Sequence, residues 1–177
     1  MLQANVFRRF HFYGGDCYIE YMKTTSLTET KNLAKQFLSE ILSNKKSDVG
    51  ATTTKNSATI VGLHGNLGSG KTTFTQAIAA ELNITEQVTS PTFVVQKKYV
   101  IQDESFRAAG FTHFIHIDAY RLEEASELEV IGWSSISADS HNLIFIEWPE
   151  RVSQLLPQDM YTINFTFIDE SVREIVW

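Results

Sequence analysis

His64-Gly65-Asn66-Leu67-Gly68-Ser69-Gly70-Lys71-Thr72-Thr73 decides the reading of this chain, because residues 65–72 fill every fixed position of the pattern G-x-x-x-x-G-K-[ST]. The residue types have separate reasons. Glycines let successive backbone N–H groups turn inward around phosphate oxygens, where a Cβ would obstruct them. Lys71 is placed to reach the β- and γ-phosphates of a nucleotide, and the Thr72 hydroxyl falls at the first turn of a following helix, where it can ligate Mg²⁺.

Such a loop needs a strand before it and a helix after it. Ala58-Thr59-Ile60-Val61-Gly62-Leu63 is short, apolar and β-branched, as a buried strand is. Phe74, Ile78 and Leu82 then recur at four-residue spacing among good helix formers such as Gln76, Ala77, Ala79, Ala80 and Glu81. The fold class expected is α/β, a single P-loop nucleotide triphosphatase domain. Its sheet is expected to be mixed but mostly parallel, flanked by helices and closed by a C-terminal antiparallel hairpin.

The 177 residues (20.1 kDa) suffice for one such domain and its core. Lys and Arg total 15 against 21 Asp and Glu, a formal net charge of −6, so no basic surplus exists to neutralise a nucleic-acid backbone. The lone cysteine, Cys17, excludes an internal disulfide and a cysteine-based metal cage. No run approaches the roughly 20 apolar residues of a membrane span, and the opening residues lack the apolar core of a secretory signal. A cytoplasmic protein is expected.

Residues 1–21 interleave Phe7, Phe10, Phe12, Tyr13, Tyr18 and Tyr21 with Arg8 and Arg9 without helical spacing. They read as a short strand pair turning at Gly14-Gly15, serving either as a targeting or docking arm or as an extension from an upstream start codon. The second is preferred, because Met22 opens a more regular stretch, so residues 22–177 are taken as the domain. Ser26-Leu27-Thr28-Glu29 fits a capping box, and Leu33, Phe37, Leu38, Ile41 and Leu42 form one stripe, which predicts a helix from about Thr28 to Ser43. Residues 44–57 read as a polar surface loop. Val94 to Val100 is a predicted strand, 102–110 a loop, Phe114 to Asp118 a strand and Glu123 to Ile131 a helix with Leu122, Ser126 and Val130 in line.

Leu143-Ile144-Phe145-Ile146-Glu147 is apolar without alternation until its final acid, the mark of a strand buried on both faces. Thr162 to Phe167 alternates, Asp169-Glu170-Ser171 turns, and Val172 to Trp177 returns, an antiparallel hairpin at one sheet edge. A phosphate loop needs a carboxylate at the end of a neighbouring strand to complete a Mg²⁺ shell. Glu147, on the more buried strand, is assigned to the metal with Thr72; Asp118 is assigned to the metal's water or to the attacking water. His116, two residues before Asp118, reads as a packed histidine rather than a base. Thr89, Ser90 and Thr92 occupy the position of a γ-phosphate sensor, which position alone does not separate from an ordinary Ser-Pro turn.

Together these residues resemble the bacterial TsaE proteins, formerly called YjeE, ATPases required for threonylcarbamoyladenosine modification of tRNA. The resemblance runs from about Met22 to the end. It rests on Ser26-Leu27-Thr28-Glu29-Thr30, Gly65 to Phe74, Ser90-Pro91-Thr92-Phe93, His116 to Leu122, Glu147-Trp148-Pro149 and Arg173. It implies that Thr72 and Glu147 hold Mg²⁺, that Gly65 to Thr73 (Gly65, Asn66, Leu67, Gly68, Ser69, Gly70, Lys71, Thr72, Thr73) hold ATP, and that Ser90-Pro91-Thr92 forms a switch-like segment. It further implies that Asp118 and Lys71 support hydrolysis and that Thr30, Trp148 and Arg173 lie near the base. The implied partners are the TsaB and TsaD proteins, which would stimulate hydrolysis, with tRNA engaged only indirectly. Asn66 departs from the family's usual Asp. No counterpart of residues 1–21 or 44–57 is recognised in that resemblance.

The rival reading is a small P-loop kinase acting on a metabolite, which needs arginines gathered over the transferred phosphoryl group; Arg107, Arg121, Arg151 and Arg173 are scattered. A guanine-nucleotide switch lacks its Asn-Lys-x-Asp element after the loop. A module whose bound nucleotide is purely structural is the third alternative.

Overall fold

The computed structural model describes residues 22–48, 57–91 and 94–177; the aromatic segment 1–21, the middle of the predicted loop 44–57, and Thr92 with Phe93 lie outside them. Strand β1 (Met22–Thr24) leads into α1 (Leu27–Asp48), then β2 (Thr59–His64), α2 (Lys71–Glu81), β3 (Gln96–Val100), α3 (Glu104–Ala108), β4 (His113–Asp118), α4 (Ser126–Val130), α5 (Trp133–Ala138) and β5 (Asn142–Glu147). A 3₁₀ segment, Pro149–Leu155, precedes β6 (Tyr161–Phe167) and β7 (Arg173–Val176).

The strands form one seven-stranded sheet in the order β1-β7-β6-β2-β5-β4-β3. The central pairings β6–β2, β2–β5 and β5–β4 are parallel, whereas β1–β7, β7–β6 and β4–β3 are antiparallel. The sheet is therefore evenly mixed, and the expectation of a mostly parallel one is corrected. Connection length explains the difference. The links 101–112 and 168–172 carry no long crossover helix, so each returns its chain beside the preceding strand; the longer link 119–141 carries α4 and α5 and allows β5 to run parallel to β4. The β6–β7 hairpin forms as expected, but β1 lies outside it and is the true edge.

Two buried clusters lie on the two faces. Val61, Leu63, Phe114, Phe145, Ile163 and Phe165 pack against α1 and α2. Ile60, Ile115, Ile117, Ile144 and Ile146 pack against Leu128 of α4, Trp133 of α5 and Val152 of the 3₁₀ segment. All six residues of β5 are buried, which is why it shows no alternation.

The expected capping box forms with its return bond one residue early: the Glu29 N–H donates to the N-cap Ser26 Oγ (3.2 Å), while the Glu29 carboxylate accepts from the N–H of Thr25 (2.6 Å) rather than of Ser26. Several boundaries differ from expectation. Helix α1 runs on through Asp48, so 44–48 is helical rather than loop. Strand β3 starts only at Gln96, because Val95 sits at φ 62°, outside the β region. Segment 102–110, read as a loop, contains α3, capped by Asp103 accepting from the Ser105 and Phe106 N–H groups. The predicted helix 123–131 contracts to α4, and the line through Val130 is wrong: Val130 is 86% exposed and Leu128 is the buried residue.

Phe37 of α1 is fully buried, and its ring meets those of Phe74, Phe145, Tyr161 and Trp177 at 5.3–6.3 Å. Phe37→Ala should cost about 3–5 kcal/mol of stability in urea unfolding. Val130→Ala should change it by less than about 0.5 kcal/mol. Equal losses would contradict the assignment of the two positions.

Candidate functional site

The site lies at the carboxyl ends of the parallel strands, where β2 hands the chain to the glycine-rich loop and α2. Gly65 takes φ 145°, and a Cβ there would meet the Phe165 carbonyl oxygen at 2.5 Å and the Ser69 hydroxyl at 2.7 Å. Gly70 caps α2 in the left-handed region (φ 104°) with no side-chain cap. The first N–H groups of α2 therefore face the loop instead of a capping side chain, an arrangement suited to an anion.

Lys71 is buried, and its Nζ donates to the carbonyls of Gly65 (2.5 Å) and Asn66 (3.0 Å). The ammonium also stands 4.1 Å from the Trp148 ring centre. Burial pushes the Lys71 ammonium below its ordinary value of 10.5, opposed by the carboxylates of Glu147, Glu150 and Asp118. His64, at the end of β2, pairs with Glu150 (3.1 Å) on the same rim.

Two acids meet this loop from the sheet. Parallel register sets Asp118 at the end of β4 opposite Glu147 at the end of β5, both buried. The Thr72 hydroxyl bonds Glu147, at 2.9 Å from Oε1 and 3.1 Å from Oε2. His116 Nε2 lies 2.9 Å from the same Oε1. Asp118 Oδ2 accepts from the Ser90 hydroxyl (2.8 Å) and Oδ1 from the Tyr120 N–H (3.1 Å). Ser90 of the predicted switch-like segment is thus tied to the second acid, whereas Thr92 lies outside the described residues.

Most of the expected site residues line one cleft of about 650 Å³, within the range of small-molecule sites; Gly65, Asn66 and His116 lie behind its lining rather than in it. Leu67, Gly68, Ser69, Gly70, Thr72 and Thr73 form its floor with Lys71; Asp118, Glu147 and Trp148 stand on one side. Thr30 and Arg173 line it from α1 and β7. Thr30 Oγ1 donates to the Ser26 carbonyl, and Arg173 donates to the Asp169 and Val172 carbonyls while stacking on Phe167 at 4.4 Å. Trp148 holds a left-handed conformation (φ 59°, ψ 49°) beside Lys71, at the loop end of the cleft, and its ring lies 5.0 Å from that of Tyr120. Strain of this kind gathers at functional sites.

The sequence reading missed Thr24, Thr25, Ser26 and Leu27, which complete the wall at the β1–α1 junction, and Tyr120. The capping box marked that helix start but not what it faces. Among the described residues no three His, Cys, Asp or Glu side chains form a metal cage. Thr72 and Glu147 supply oxygen donors side by side, a set suited to a Mg²⁺ whose remaining ligands are water and phosphate oxygens.

Fold and site together define an α/β domain with a glycine loop at a helix N-terminus, facing two acids at the ends of parallel strands. The chain belongs to the TsaE family: the family model described as Threonylcarbamoyl adenosine biosynthesis protein TsaE matches residues 24–175. The tRNA threonylcarbamoyladenosine biosynthesis protein TsaE of Bacillus subtilis is 32% identical over 122 residues, 67% of this chain and 68% of that protein. The protein of the same name from Nostoc sp. is 30% identical over 145 residues, 80% of this chain and 83% of its own. The crystal structure of Bacillus subtilis YdiB superposes with a TM-score of 0.57 at 26% identity, covering 89% of this chain and 84% of that one. No described helix is long and apolar enough to cross a membrane.

The two loop glycines should differ under substitution. Gly70→Ala meets only the Arg173 side chain at ordinary contact distance, 3.8 Å, and should cost little beyond left-handed strain, about 1–2 kcal/mol. Gly65→Ala adds a collision with backbone and should cost more in the same urea titration. A smaller loss at Gly65 would contradict the described loop.

Proposed function

We propose that this chain is a P-loop ATPase that binds ATP with Mg²⁺ and acts in threonylcarbamoyladenosine modification of tRNA. The observation that carries this reading is the bond between Thr72, at the start of α2, and the buried Glu147, with the Lys71 ammonium beside them. Family membership supports the pathway, since the relatives' names state that biosynthesis.

In this reading the α2 N-terminus and the loop amides receive the phosphates. Lys71 exchanges the Gly65 and Asn66 carbonyls for phosphate oxygens, which are stronger acceptors for an ammonium. Thr72 and Glu147 hold Mg²⁺, which would neutralise charge developing on the transferred phosphoryl group. Asp118 orients the attacking water, and its bond to Ser90 couples the 88–91 segment to that acid. Arg173 is the single arginine lining the cleft among the described residues, which argues against a metabolite kinase with an arginine lid.

The partners proposed are TsaB and TsaD, with tRNA engaged only through them, in the cytoplasm; the net charge of −6 favours a protein surface over RNA. Since no arginine cluster completes the site among the described residues, turnover should be slow alone and rise when TsaB and TsaD are added.

Three variants test the assignments by calorimetry and phosphate release. Lys71→Ala should abolish ATP binding or nearly so. Glu147→Gln should weaken the Mg²⁺ dependence of binding, because an amide is a poorer ligand for a hard cation. Asp118→Asn should bind MgATP almost normally yet hydrolyse it about 10²-fold more slowly. Identical behaviour of the two acid variants would remove the division of labour, and fast hydrolysis by the isolated chain would remove the dependence on partners.

A further inference from the structure

His116 is fully buried on β4, between Lys97 of β3 and Phe145 of β5 in register. Its side chain shares a sheet face with Phe114 and Asp118, toward α2. Nε2 lies 2.9 Å from Glu147 Oε1, and Nδ1 has no hydrogen-bond partner among the described residues. An ionised carboxylate only accepts, so Nε2 carries the proton in this pair. With Nδ1 unbonded, no described side chain stands ready to pass a proton onward, so the arrangement is not that of a relay.

A phenylalanine would fill comparable space without burying a polar nitrogen, and a buried unpaired nitrogen is costly enough to demand an explanation. Glu147 supplies it. The Thr72 hydroxyl reaches the carboxylate from α2 and the His116 N–H reaches it from β4, so two elements fix its rotation.

We infer that His116 is a positioning residue for Glu147, its Nε2–H holding the carboxylate in the orientation that receives the cation. This rests on the metal role proposed for Glu147. Partners that orient a ligand commonly change metal affinity 10–100-fold when removed.

The test is calorimetric titration of the full chain with ATP over a series of Mg²⁺ concentrations and in EDTA. His116→Phe should raise the Mg²⁺ needed for half-maximal binding by about 10-fold or more and leave affinity in EDTA unchanged. His116→Gln, whose amide N–H lies near the place of Nε2, should recover most of the loss. Unchanged Mg²⁺ demand in His116→Phe, equal loss with and without Mg²⁺, or failure of Gln to rescue would each overturn the inference. A wild-type chain whose ATP binding ignores Mg²⁺ would instead overturn the proposed function, and this inference with it. Should His116→Phe not fold, imidazole ¹⁵N resonances of the wild type decide: protonation at Nε2, kept when MgATP is added, is expected, and protonation at Nδ1 contradicts it.

Discussion

Glu147 is 3% exposed, and a carboxylate so placed is tolerable only if donors and a nearby cation replace the water it has lost. Thr72, His116 and Lys71 are those groups, drawn from two elements that meet only when the fold is complete. A hydrogen bond to a charged group is worth about 1.5–3 kcal/mol net, but leaving a buried charge with a partner removed costs about 3–5 kcal/mol. The asymmetry makes this cluster intolerant of piecemeal change.

The sheet supplies the geometry the cluster needs. Parallel pairing of β2, β5 and β4 brings three strand ends to one rim, so the glycine loop, Glu147 and Asp118 arrive together. The antiparallel strands do a different job. The β6–β7 hairpin backs the loop, with the Phe165 carbonyl against Gly65, and β1, paired to β7, lines the cleft together with the start of α1. The evenly mixed pairing therefore separates the rim that carries charge from the flanks that shape the cleft.

Much of this was legible in the chain because it is written locally. The loop pattern, the unbroken apolarity of β5 and the alternation of β6 each follow from a few neighbouring residues, and each element formed where expected. What failed to show depends on distant partners. Strand β1 is three residues with no pattern, defined by its pairing with β7. Pairing direction across the sheet depends on connection lengths rather than composition. The α4 error arose because Leu122, Ser126 and Val130 mimic a helical stripe, while the second face of the sheet selects Leu122, Leu128 and Trp133. In the site, Glu147 and Asp118 announced themselves as acids ending apolar strands. The meeting of His116 with Glu147 did not, since strand register is a property of the whole sheet.

In the proposed function, Thr72 and Glu147 form the protein's share of a magnesium site beside the phosphates of ATP. A crystal structure of the chain with Mg²⁺ and a non-hydrolysable ATP analogue tests it directly. The expected result is phosphates at the α2 N-terminus, Lys71 Nζ moved from the Gly65 carbonyl to a phosphate oxygen, and the cation at about 2.0–2.1 Å from the Thr72 hydroxyl, with Glu147 bound directly or through one water. A nucleotide seated outside the cleft, or a cation held away from both residues, would contradict it.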